Sequence, residues 1–260
     1  MHRVQAGARC LSRRDFSHPC YKARPEGCGH LVKLMDSVNQ AGWPATSTKF
    51  SIAGPSGAIE CIAHGVEDAQ RIAVICHPHS LHGGSMDNKV VVMVERALRE
   101  LGAATLRFNF RGVGESAGVF DNGIGEGQDL TTVVELARQW SPSLPLWLAG
   151  FSFGSFVAAS RADALDAELL ISVAPPIERF GFAELPRPQA RWIVLQGETD
   201  DVVEPQAVFE YFAALQPPVE LLRFADTGHF FHGKLVQMRE RLIAQIRGEA
   251  ASVAAETLIP

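Results

Sequence analysis

Leu148-Ala149-Gly150-Phe151-Ser152-Phe153-Gly154-Ser155-Phe156-Val157-Ala158-Ala159 is the stretch that decides the fold. The apolar run from Leu144 to Ala149 reads as a short buried strand, and the small residues from Ser155 to Ala162 read as a helix. Between them stands Gly150-x-Ser152-x-Gly154. Strand, Gly-x-Ser-x-Gly, helix is the context of a nucleophile elbow, in which the serine sits on a sharp and strained turn. The two glycines remove the Cβ atoms that would collide where strand and helix nearly touch. Such a turn projects the hydroxyl into a cleft and aims the free N–H groups of the helix start at developing negative charge. Ser152 is therefore the candidate nucleophile.

A nucleophilic serine needs a base, and the base needs a group that orients it. Downstream of Ser152 there are two histidines, His229 and His232. His229 falls in the loop directly after the strand Val219–Phe224, at the carboxyl edge where open α/β sheets place their chemistry. His232 reads as a residue at the start of the last helix. The acid lies among Glu198, Asp200, Asp201 and Asp226, all of which follow predicted strands.

The chain resembles the α/β-hydrolase superfamily, in which the acid commonly stands three residues after a glycine that ends its strand. Asp200 stands so after Gly197, and the resemblance favours it. Three longer blocks are similar to compact bacterial serine hydrolases akin to dienelactone hydrolases: Cys76-His77-Pro78-His79-Ser80-Leu81-His82-Gly83-Gly84-Ser85-Met86-Asp87-Asn88-Lys89-Val90-Val91, Leu106–Ser116 and Gly228–Gly233. The resemblance covers about residues 46 to 248. Dienelactone hydrolases proper carry a cysteine at the elbow, so Ser152 is a departure that argues against a transfer of lactone specificity. The implied oxyanion donors are the backbone N–H of Phe153 and, from the loop after the third strand, that of His79, with Ser80 second. Three histidines in that loop lack a carboxylate partner and make a poor zinc site; His77 is expected to brace the loop instead.

Elsewhere the chain alternates. Strand-like runs fall near Thr48–Ile52, Ile59–Ala63, Ile72–Cys76, Ala104–Phe108, Leu144–Leu148, Leu169–Val173, Trp192–Leu195 and Val219–Phe224. Helical stripes fit Asn88 to Leu101, Glu126 to Trp140 and Leu235 to Ile246. The first two strands have no helix between them and predict a hairpin at an antiparallel edge. The expected fold is a single α/β-hydrolase domain, with a mostly parallel sheet and helices on both faces. Ala174 to Gln189 leaves room for a minimal lid only. Phe110, Phe153, Phe180, Phe182 and Phe230 are expected to line an open cleft suited to small or medium apolar acyl groups. Asn109–Ser116 lacks the lysine of a Walker loop and the third glycine of a dinucleotide fingerprint, and reads as a structural turn bordering the cleft.

At 260 residues and 47% hydrophobic content, the chain supports one full core and little more. A net charge of −5 argues against a nucleic-acid footprint, and no apolar run reaches bilayer length. Five cysteines at no metal-ligand spacing fit free thiols in a reducing cytoplasm. No metal or cofactor is expected; the expected partner is a small-molecule ester or thioester, and the protein itself a monomer or homodimer. Residues 1–45 read as a disordered extension and residues 249–260 as a loose tail around the domain at 46–248. Ser12-Arg13-Arg14-Asp15-Phe16 imitates a twin-arginine export signal, but a polar stretch follows where an apolar one is needed. Cys10, Cys20 and Cys28 match no metal loop.

Overall fold

The structure, a computed structural model, describes residues 42–249. The readings on residues 1–41 (the export-like motif, Cys10, Cys20 and Cys28, most of the extension) and on the tail 250–260 lie outside the described residues. Eight strands form one sheet: β1 (Thr48–Gly54), β2 (Gly57–His64), β3 (Arg71–Cys76), β4 (Ala103–Phe108), β5 (Leu146–Phe151), β6 (Ala167–Val173), β7 (Arg191–Gly197) and β8 (Glu220–Phe224). Their order is β1-β2-β4-β3-β5-β6-β7-β8. β2 pairs antiparallel with both β1 and β4, and every other pairing is parallel. The hairpin at the antiparallel edge is thus present. Among the described residues five helices accompany the strands: α1 (Lys89–Glu100), α2 (Ile124–Trp140), α3 (Phe153–Arg161), α4 (Pro205–Ala214) and, after β8, α5 (Leu235–Arg247).

Successive side chains of a strand point to opposite faces, and this divides the core in two. In β5, Leu146 and Leu148 join the cluster of Leu130, Val133 and Phe156 from α2 and α3. Trp147, Ala149 and Phe151 join that of Val94, Leu98, Met238 and Leu242 from α1 and α5. Helices therefore cover both faces, as expected for α/β connections. α1 follows its predicted stripe: Val90, Val91, Val94 and Leu98 are buried, and the side chain of Asn88 caps it by accepting the Val90 N–H at 2.9 Å.

Several elements differ from the sequence reading. α4 was not anticipated, although Pro205 at its first turn and the pair Val208 and Phe212, one turn apart and both buried, carry its signature. The elbow strand ends at Phe151 and α3 begins at Phe153, so the turn is tighter than the run Leu144–Ala149 suggests. His232 is exposed in a turn three residues before α5. Packing also starts before residue 46. Trp43 meets Trp140 edge-on at 5.1 Å and donates its ring N–H to Ser141 Oγ at 2.9 Å, while the Pro44 carbonyl accepts the Gly65 N–H.

Candidate active site

Ser152 joins β5 to α3 with φ 52° and ψ −121°, a conformation that costs a non-glycine residue free energy and persists only where its surroundings enforce it. Its surroundings are explicit. The Ser152 N–H donates to the Val173 carbonyl at 2.8 Å, and its own carbonyl accepts from the Ser155 N–H and hydroxyl at 2.8 and 2.6 Å. A Cβ on Gly150 would strike the backbone of Gly154, and one on Gly154 would strike the carbonyls of Cys76 and His77. Both glycines are thus required by close approach, the second one between α3 and the end of β3.

Asp200 follows β7, three residues beyond Gly197, and is buried. Its Oδ1 accepts the N–H groups of Val202 and Val203 at 2.9 and 2.8 Å. Its Oδ2 accepts from Gln196 Nε2 at 3.1 Å and from His229 Nδ1 at 2.8 Å. Burial works to raise the carboxyl's pKa, but the bonds from His229, Val203 and Val202 outweigh it and hold the group below its ordinary value. Because Asp200 only accepts, Nδ1 of His229 carries the proton, and Nε2 is left with the lone pair. The imidazole is held between rings, 4.9 Å from Phe151 and 5.1 Å edge-on from Phe230. The alternative acids are elsewhere: Glu198 pairs with Arg223 at 2.9 Å, and Asp201 and Asp226 are exposed.

Ser152 and His229 line one cleft of ≈ 350 Å³, together with His79, Phe153, Phe180 and Phe230. Two expected lining residues are not there. Phe110 is fully buried behind the site, its ring tilted against His77 at 4.6 Å, because it continues the inward parity of Leu106 and Phe108. Phe182 is fully buried among Trp192, Tyr211 and Phe212, where it fills the space between the connection after β6 and α4. Arg179, Asn88, Pro176 and Val202 line the cleft and were not anticipated. Arg179, Pro176 and Val202 sit in loops with no periodicity to mark them, and Asn88 is the cap of α1.

The loop after β3 explains its histidines. His77 is wholly buried; its Nδ1–H donates to the Pro78 carbonyl at 2.6 Å, and its Nε2 accepts the Phe110 N–H at 3.0 Å. Burial pushes its pKa down to about 4, so it braces the loop as a neutral ring with both nitrogens engaged. His79 precedes a short 3₁₀ turn (Ser80–His82), and its Nδ1 accepts the Leu81 N–H at 3.2 Å. Its own N–H has no acceptor among the described residues. The N–H of Phe153, the first residue of α3, has no intrahelical acceptor by position. Burial, then the charges of His82 and Arg179, lower the pKa of His79. Among the described residues no group of three or more His, Cys, Asp or Glu could hold a metal ion.

The Gly-rich segment after β4 is structural and does not reach the cleft. Asn109 Nδ2 donates to Glu60 Oε2 at 2.6 Å and Asn109 Oδ1 accepts the Met86 N–H at 2.8 Å. Arg111 holds Asp129 of α2 in a bidentate pair through one guanidinium edge, Nε donating to Oδ2 at 3.0 Å and Nη2 to Oδ1 at 2.8 Å. The turn thus fastens β4 to its neighbours rather than to a ligand.

An eight-stranded sheet of this order, with a strained serine and a buried Asp–His pair at its carboxyl edge, is the architecture of the α/β hydrolases. The comparisons agree. An α/β serine hydrolase without a lid from Xanthomonas campestris is 44% identical, with a TM-score of 0.75 over 80% of this chain and 96% of that one. An α/β serine hydrolase homologue from Coxiella burnetii is 41% identical, with a TM-score of 0.76 over 79% of this chain and 100% of that one. An uncharacterized protein of Rickettsia prowazekii is 36% identical over 156 residues, which span 58% of this chain and 66% of that protein, just under two thirds. No protein-family model matches the chain. The chain belongs to the α/β serine hydrolase family. Between β6 and β7 it carries only a coil with one short 3₁₀ turn (Phe182–Glu184), so no cap domain is inserted there over the cleft among the described residues.

Proposed function

We propose that the protein is a serine hydrolase that cleaves carboxylic esters or thioesters with small to medium apolar acyl groups. Ser152 Oγ attacks the carbonyl carbon while His229 Nε2 takes its proton. Asp200 holds the imidazole and stabilises the imidazolium that forms. The backbone N–H groups of Phe153 and His79 receive the oxyanion. His229 then returns the proton to the departing alcohol or thiol, and water attacks the acyl-enzyme by the same route, with His229 again as base. The observation that carries the reading is the hydrogen bond of 2.8 Å from His229 to a buried, fully satisfied Asp200, in a cleft shared with Ser152. Phe180 and Phe230 give that cleft apolar walls.

The proposed compartment is a reducing cytoplasm: Cys61 and Cys76 are buried free thiols, and no helix of the described residues is long and apolar enough to cross a membrane. The proposed assembly is a monomer or homodimer that acts on a small molecule. A fluorophosphonate probe tests the reading. It should label Ser152 covalently, and a panel of aryl esters and acyl thioesters should be turned over. An unlabelled serine and an inert panel would leave a binding or scaffold protein on a hydrolase fold.

A further inference from the structure

A second, open cavity of ≈ 470 Å³ lies away from the cleft, lined by His64, Arg96, Arg99, Glu100 and Arg239 among others. Topology puts it at the opposite edge of the sheet. β2 runs antiparallel to β4, so its last residue, His64, pairs with Thr105 near the start of β4. Arg96, Arg99 and Glu100 close the C-terminal end of α1, and Arg239 comes from α5 packed beside it. None of the lining residues is a serine or cysteine, so the cavity has no nucleophile of its own.

Three guanidinium groups therefore face one space with a single carboxylate, in a chain whose net charge is −5. That carboxylate is already engaged: Glu100 Oε2 pairs with Arg239 at 3.0 Å. No carboxylate among the described residues lies within ion-pair distance of Arg96 or Arg99. Arg99 Nε is covered by the protein itself and has no hydrogen-bond partner. Buried donors are nearly always paired, and a charged one without an acceptor is costly. The helix dipole favours a cation in the last turn of α1. It does not account for a third arginine and a histidine brought in from two other elements.

We propose that this cavity is an anion site that takes a phosphate dianion, free or carried on a small non-aromatic phosphate monoester. All the fixed cations are arginine, whose planar fork matches two phosphate oxygens at once. The guanidinium ends of Arg96 and Arg99, which no carboxylate engages, take the phosphate oxygens, with Arg239 beside them. The space exceeds what a bare phosphate fills and leaves room for a short polar tail. No aromatic ring other than His64 lines it, so a nucleobase would find no stacking face.

Calorimetric titration of the full chain with inorganic phosphate and with glycerol 3-phosphate, at ionic strength held constant with sodium chloride, tests the site. Saturable binding is expected in the wild type and unchanged in Ser152→Ala, which separates this site from the proposed chemistry. Arg99→Gln and Arg96→Gln should each weaken it by tenfold or more. Arg96 is exposed, so its replacement leaves the fold intact even where that of Arg99 does not. Absence of saturable binding, or equal affinity in Arg96→Gln, would overturn the proposal. Sedimentation with vesicles containing phosphatidic acid, without binding of the free phosphates, would replace the small-molecule ligand by a lipid headgroup and overturn it as stated.

Discussion

Asp200→Asn tests the proposed site most sharply, because the structure says what the amide must do. The carboxylate accepts four hydrogen bonds and donates none: Oδ1 takes two backbone N–H groups, Oδ2 takes Gln196 and His229. An asparagine has one acceptor atom and one donor atom. With its oxygen toward Val202 and Val203, its amide meets the Nδ1–H of His229 donor to donor. The imidazole escapes by moving its proton to Nε2, which then cannot accept from Ser152. With the amide reversed, the N–H groups of Val202 and Val203 lose their acceptor, and the buried one of Val203 alone costs about 1–3 kcal/mol. The first arrangement is the cheaper one, so the fold should survive and the tautomer should be wrong. Loss of that kind costs about 10⁴ in kcat, or roughly 5 kcal/mol of barrier.

The assay is steady-state hydrolysis of a small aryl ester, with Asp201→Asn as the control. Asp201 is exposed, and its replacement should change kcat less than about twofold, as for an ordinary surface site. The same variant bears on stability. The Asp200 pKa is depressed in the folded chain, so its contribution is present above the unfolded value of about 3.9 and lost as pH falls through the folded one. The gap in Tm between wild type and Asp200→Asn should therefore close as pH drops below about 4. A kcat within tenfold of wild type, or a larger loss in Asp201→Asn, would refute the assignment.

Three further outcomes are expected. Ser152→Ala should abolish ester hydrolysis and fluorophosphonate labelling, with a residual kcat below about a thousandth, while circular dichroism stays that of the wild type; a tenth of the activity retained would remove Ser152 from the role. His77, with a folded pKa of about 4 against about 6.5 unfolded, binds more protons in the unfolded chain, so stability should fall from pH 6.5 down to 4 by about 3 kcal/mol in all; chemical denaturation across that range should show the slope, flattened in His77→Gln. A chain beginning at Met35 should keep its activity and its Tm within about 2 °C, whereas one beginning at Ser47 loses Trp43 against Trp140 and Ser141 and should melt about 5–10 °C lower, each kcal/mol being worth about 2–4 °C at this size; a drop already present at Met35 would mean that residues 1–34 stabilise the domain.

Legibility tracked how far apart in the chain the physical cause acts. The elbow was readable because its constraint is local: a strand, a strained residue and a helix meet within a few positions, and only glycine fits at the two closest approaches. The strands were readable from apolar runs, though their ends were not. Phe110, expected to line the cleft, is buried instead. The alternation Leu106, Phe108, Phe110, all in one core layer, was the signal that it points inward. Phe182 had no such signal, since it lies in an irregular connection and its partners Trp192, Tyr211 and Phe212 come from later elements.

The proposed acid shows how a local mark can stand for a contact between distant segments. Asp200 was favoured by its offset from Gly197, and Gly197 is where two loops touch. A Cβ there would strike the carbonyl of Thr227, the same carbonyl that accepts the Thr199 N–H at 3.1 Å. The strand must therefore end on a glycine for the loop carrying residue 200 to lie against the loop carrying residue 229. Three residues past that contact is the reach at which a short carboxylate meets Nδ1 of His229, at 2.8 Å. Asp201, one position on, faces solvent instead. The offset is thus a packing requirement between two loops, written in the sequence as the position of one glycine.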